Sequence, residues 1–316
     1  MNAERGINKI EQKRFKPTFE IGNLEDTESM ANFYAVSKIV ENRWGNEQNE
    51  NIAADIKNKK IQLDQELIDS YKKIRELSNN NDETLSWLAF AVERDEETQS
   101  CIRDLMVKHK DFNEADAKKL NFEFKDFYQK IKQKINLKEL IEAFITTDID
   151  QRKENLPKLR IKVDEAIKFF NPQNLKIEKI VYLPTNPLEK KQSGGGVEIG
   201  KSFYINAENG NEVNEIHEFL HSIINPILEK LKLNEGEEKK ILNICSTEEL
   251  ENYEYPISIL TEKIIKIYHT GFNIENKPTE DKLSERIWEF FEEYINSGIS
   301  NFEEFFLDNY GMILQE

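Results

Sequence analysis

Cysteine is scarce in this 316-residue chain, which has only Cys101 and Cys245. Two are too few for a disulfide framework, and buried free thiols are expected instead. Basic charge is in deficit: 44 lysines and arginines face 60 acidic residues, for a net charge of −16. Nucleic acids and anionic membrane surfaces both demand a basic footprint, so neither is expected as a partner. Long apolar runs are missing, so no segment is expected to span a bilayer. The stretch Met1-Asn2-Ala3-Glu4-Arg5 lacks the apolar core of a signal peptide. The expected location is the cytoplasm, or outside the cell if a leader has been removed. No segment repeats at a fixed period. The last scarcity is histidine, with four residues at 109, 217, 221 and 269.

What is present points to helix. Charged residues make up 33% of the chain and hydrophobic residues only 38%, yet aromatics reach 10%, enough large side chains for a core. That balance excludes a disordered chain. The length accommodates one large domain or two ordinary ones. Thr18 to Ile21 reads as a short strand. From about Asp26 to Phe170 apolar residues recur at helical spacing: Met30, Phe33, Tyr34 and Val40, then Leu67, Tyr71 and Ile74, then Leu85, Leu88 and Val92. Phe122, Phe124, Phe127, Tyr128 and Ile131 continue the series, and all these stripes are assigned to the core. Asn79-Asn80-Asn81 is a loop, and His109 lies in a charged segment as a surface residue.

The texture changes near Asn171-Pro172. Leu175 to Leu183 reads as a strand. After Ser193-Gly194-Gly195-Gly196 comes Val197 to Ile205, whose period-two alternation places Val197, Ile199, Phe203 and Ile205 on one face. No Gly-Lys-Ser/Thr opens a helix there, so the glycines are not a phosphate loop; they suit close passage of another backbone. The expected fold is mainly α with a small mixed or antiparallel sheet. The expected organisation is a helical region over 1–170 and a catalytic region over 171–316, possible also as one continuous domain.

The catalytic expectation rests on Asn214 to Pro226, which contains His217-Glu218-x-x-His221. Residues i and i+4 lie on one helix face, so both imidazoles can converge on one cation, and neutral imidazole is a good Zn²⁺ ligand. Glu218 projects from a neighbouring direction and can act as base on a water. Ile216, Phe219, Leu220, Ile223 and Ile224 give the helix a wide apolar face. Asn211 or Asn214 can cap its start, and Asn225-Pro226 is expected to end it. Short helices are expected over Ile227 to Leu233 and from about Gly236 to Ile244. Further helices run from Pro256 to Tyr268, over 279–297 and over 300–310.

A third ligand must come from downstream. Glu248, Glu249 and Glu251 lie in an acidic, exposed segment. Glu262 sits in an apolar helix between Ile259 and Ile265, where a carboxylate is unfavourable unless paired or metal-bound. Pairing with Lys266 is the alternative, and Glu254 is the reserve ligand. His269 lies two turns from Glu262 on the same face.

The order of strand, glycine-rich edge strand, His217-Glu218-x-x-His221 helix and later helix with Glu262 resembles zincins of the gluzincin type. The run His217-Glu218-Phe219-x-His221-x-x-x-Asn225-Pro226 is similar to a bacterial family of uncharacterised metallopeptidases. The resemblance covers about residues 170–275. It implies a zinc metallopeptidase with His217, His221 and Glu262 as ligands. It also implies a peptide or protein substrate lying antiparallel along the edge strand, Gly194 to Tyr204. Glu218 would be the general base, and Tyr253, Tyr255 and His269 are candidates to stabilise the oxyanion. Thermolysin-like enzymes carry an aspartate four residues after the third ligand; here that position is Lys266. Two competing readings remain: a non-catalytic helical interaction module with a fortuitous motif, and a zinc hydrolase of a non-peptide substrate.

Overall fold

The sheet is the frame on which the two halves of the chain meet. It holds β1 (Thr18–Ile21), β2 (Lys179–Tyr182), β3 (Gly194–Ile199) and β4 (Ser202–Ala207) in the order β1-β2-β4-β3. The first three neighbours run parallel and β3 runs antiparallel to β4. A computed structural model describes residues 16–59, 61–108, 112–173, 175–189, 194–207, 212–245, 255–269 and 281–314. Among the described residues the protein is mainly helical, with this one small mixed sheet.

Among the described residues seven helices separate β1 from β2: α1 (Leu24–Glu41), α2 (Glu50–Asn58), α3 (Gln65–Leu77), α4 (Asp82–Ala91), α5 (Glu96–Lys108), α6 (Glu114–Lys134) and α7 (Lys138–Phe170). After β4 come α8 (Glu212–Leu228), α9 (Glu235–Ile244), α10 (Pro256–His269), α11 (Lys282–Ser297) and α12 (Phe302–Asn309). Asparagine starts many of them. Asn23, Asn49, Asn81, Asn113, Asn234 and Asn301 each accept a hydrogen bond from a first-turn N–H. That satisfies donors the helix cannot pair itself. Asn171, in the left-handed region at φ 43°, ends α7. Among the described residues no helix is long and apolar enough to cross a membrane.

Alternation along the strands divides the interior into two cores. Val181, Val197 and Ile199 join Phe33, Tyr71, Phe124 and Phe127 in the core of α1–α6. Ile180, Tyr182, Phe203 and Ile205 join Phe170, Phe219, Ile264 and Phe291 on the opposite face. The long helix α7 supplies Ile141 and Ile145 to the first core and Leu159, Val163 and Phe170 to the second.

Several expectations are corrected. Val197 to Ile205 is not one strand but a hairpin, turned by Gly200 at φ +60° and Lys201. The two-residue loop pairs Ile199 with Ser202, so odd positions on β3 face the same way as even positions on β4. Val197 and Ile199 therefore lie on the opposite face from Phe203 and Ile205. The strand read over Leu175 to Leu183 narrows to Lys179–Tyr182. Phe122 is 71% exposed rather than core. It precedes Phe124 by two residues, about 200° round the helix, while Phe127, Tyr128 and Ile131 share the buried stripe. Pro226 does not end α8 but lies inside it. The Glu229 N–H still donates to the Asn225 carbonyl at 2.8 Å, so only the bond Pro226 itself would have donated is missing. No separate helix covers Ile227 to Leu233. Asn214 is the third residue of α8 and so cannot cap it, and Asn211 lies outside the described residues.

Candidate metal centre

Helix α8 buries Ile216, Phe219, Leu220, Ile223, Ile224 and Ile227. Phe219 meets Phe203 of β4 edge to face, which presses the helix against the sheet. One flank of this apolar stripe carries His217 and His221, one turn apart and both half-buried. Helix α10 packs against α8, burying Ile259, Leu260, Ile264 and Ile265. The one acidic side chain of α10, Glu262, is turned toward the two histidines.

Two imidazole nitrogens and the two oxygens of one carboxylate converge. His217 Nε2 lies 3.1 Å from His221 Nε2. Glu262 Oε2 is 3.2 Å from His217 Nε2, and its Oε1 is 3.4 Å from His221 Nε2. Tetrahedral ligands at about 2.0–2.1 Å from a zinc ion stand about 3.3 Å apart. The spacing between the two imidazoles, and from each to one oxygen of Glu262, matches that of zinc ligands. Lys266, the alternative partner of Glu262, is exposed.

The remaining ring nitrogens also have partners. His221 Nδ1 is 3.2 Å from Asn225 Oδ1. When Nδ1–H donates to that oxygen, Nε2 keeps its lone pair for the centre. His217 Nδ1 is 3.2 Å from His269 Nε2, with the ring planes at 63°.

The electrostatics are those of a site built for positive charge. Burial opposes protonation of His217, but the hydrogen bond and charge of Glu262, with Glu218 beyond, outweigh it and raise the pKa. Burial pushes His221 down. Burial, then the charges of His217 and Lys266, pushes His269 down to about 4. Burial would raise Glu262, but its hydrogen bond to His217 and the charges of both α8 histidines hold it below the usual range. Glu218 is raised to about 7, mainly by burial; the charge of His217 works against this, and those of Glu83, Glu262 and Glu189 add to it.

Glu218 faces the edge strand. A Cβ on Gly196 would lie 3.4 Å from Glu218 Cβ and only 2.5 Å from Phe203 Cζ. Strand β3 has β4 on one side and, among the described residues, no strand on the other. Strand β4 is paired on both sides, so within Gly194 to Tyr204 only Gly194–Ile199 offers a free edge.

The other candidates fare differently. His269 closes α10 and touches His217. Tyr255 precedes α10 and is 59% exposed. Tyr253, Glu254, Glu248, Glu249, Glu251 and His109 lie outside the described residues. Asn225, expected to end the helix with Pro226, stands four residues after His221, the spacing that brings its Oδ1 to the ring. Glu83 of α4 and Glu189, after β2, enter the field of Glu218 from far along the chain, and nothing local in the sequence announces them. Compared with known protein families, with curated proteins and with solved structures, the chain matches none of them.

Proposed function

We propose that this protein is a zinc-dependent metallopeptidase of gluzincin type. The observation that carries the reading is the triangle of His217, His221 and Glu262, with edges of 3.1 to 3.4 Å. Two neutral imidazoles and one carboxylate form a catalytic zinc set that leaves a position free for water. A bound Zn²⁺ would supply Lewis acidity, lowering the pKa of a water and polarising a carbonyl. The protein supplies the rest. Glu218, held beside the triangle and under the edge strand, takes the proton of the attacking water and hands it to the departing amine. The free edge of Gly194–Ile199 fits an extended peptide, whose backbone would pair with the strand and lie across Glu218. The gluzincin resemblance of the strand, helix and helix order supports a peptide bond as the target.

The test is zinc content and peptide cleavage on wild type and Glu218→Gln. Wild type should hold about one zinc per chain. The variant keeps shape and hydrogen bonding but cannot accept the proton. It should keep its zinc and its melting temperature while cleavage falls by about 10²–10⁴-fold. A protein that neither contains zinc nor takes it up at micromolar concentration would refute the metal centre. Cleavage by Glu218→Gln at the wild-type rate would refute the base.

A further inference from the structure

We infer that His269 is a positioning residue for the centre, its Nε2 accepting the hydrogen bond that fixes His217; this rests on the metal reading above. His217 Nε2 points into the triangle, 3.1 Å from His221 Nε2 and 3.2 Å from Glu262 Oε2. Its lone pair is free for a cation only if the ring proton sits on Nδ1. The atom facing Nδ1 is His269 Nε2, at 3.2 Å. The ring centroids are 5.3 Å apart, so both nitrogens lie near the line between them, as an N–H directed at an in-plane lone pair requires, and the ring planes are twisted by 63°. An imidazole that accepts at Nε2 is necessarily neutral.

The placement follows from the helix. His269 is the last residue of α10 and stands seven positions after Glu262. Seven residues are close to two full turns, so both side chains leave the same face. One helix thus delivers a ligand from its middle and the brace for a second ligand from its end. Lys266, between them at four positions from Glu262, is exposed.

The chemistry of this brace differs from the usual one. A metal-bound histidine most often donates its second N–H to a carboxylate, a carbonyl or water, and a carboxylate makes the ring a stronger donor. Here both histidines are backed by uncharged acceptors, Asn225 Oδ1 and His269 Nε2. Glu262 is then the one formal negative charge contributed by ligands and their braces together. A bound dication would keep a net positive charge, which strengthens its pull on a water and weakens its hold on the protein.

The test measures affinity for Zn²⁺ alone, by competition with a chelator, in wild type, His269→Phe, His269→Gln and His269→Glu. Removing a brace of this kind costs about 10–100-fold in metal affinity. The Phe variant should lose that much. The Gln variant, with a neutral acceptor of similar reach, should stay within a few-fold of wild type, and the Glu variant should bind zinc more tightly. In zinc-loaded wild type the His217 Hδ1 proton should give a slowly exchanging NMR signal that the Phe variant lacks. Wild-type affinity in the Phe variant overturns the role and leaves the centre standing. So does a Gln variant as weak as Phe, which makes the imidazole a packing element only. If the Phe variant fails to fold, the Gln and Glu variants and the Hδ1 signal decide. Wild type without zinc affinity overturns the centre, and this inference with it.

Discussion

At the residue scale the centre is governed by a competition between a proton and a cation. His217 and Glu262 face each other at 3.2 Å, and the carboxylate raises the pKa of the imidazole. A metal needs the neutral ring, so the proton must leave first. Burial shifts His221 the other way, toward the neutral form. The sign follows: zinc affinity should be low on the acid side and climb as pH rises through and beyond the ordinary histidine value of about 6.5. Zinc titration from about pH 5.5 to about pH 8.5, with proton release read by calorimetry in two buffers, checks this. A flat profile would show that His217 carries no proton to displace. The histidine pair and Glu218 were legible in the sequence because their spacing is local and helical. Glu262 was legible as an anomaly, a carboxylate among isoleucines. Asn225 was not, because the proline after it suggested a helix end, and the helix in fact runs on to Leu228.

At the element scale the contact that sets the geometry is between β3 and α8. Gly196 has no positive φ, so its backbone would accept alanine. The space would not: the new Cβ would lie 2.5 Å from the ring of Phe203, which is buried against Phe219. Gly196→Ala should therefore cost about 1–3 kcal/mol and push the strand away from Glu218. Urea unfolding reads the stability, and cleavage should fall with zinc content unchanged. A variant as stable and as active as wild type would mean that strand and helix need no such approach. The strands were legible as alternation, but not the turn between them. Gly200 falls in phase with the alternating pattern and Lys201 is its one break, and only pairing across the hairpin reveals that the faces exchange.

At the scale of the whole molecule, the tie between the halves is a buried charge. Arg152 on α7 is fully buried. Its Nε donates to Asp148 at 2.6 Å, and its Nη2 donates to Thr185 Oγ1 and to the Ala207 carbonyl at 2.6 and 2.7 Å. The guanidinium lies over the ring of Tyr182 at 4.0 Å and within the field of Glu215 at the start of α8. One side chain thereby joins α7, β2, the end of β4 and the helix that carries the centre. Arg152→Met removes the positive charge and leaves Asp148 buried without it, which should cost about 3–5 kcal/mol. Denaturant unfolding checks this, and a loss below about 1 kcal/mol would show that the network is dispensable. None of this was legible beforehand. Asp148 and Arg152 sit in a polar run that reads as a solvated helix face, and the β1 partner lies too far along the chain for any local pattern to find.

That distance sets an order of events during synthesis. Thr18 pairs with a backbone carbonyl 160 residues further on. A ribosome adding about 5–20 residues per second makes β1 roughly 8–30 s before β2 exists. Throughout that interval the strand has no neighbour, and the helices after it lack Val181, Val197 and Ile199 to close their core. The nascent chain must hold an open, apolar intermediate until the hairpin arrives, and the helix that carries His217 and His221, later still, docks onto a sheet already complete.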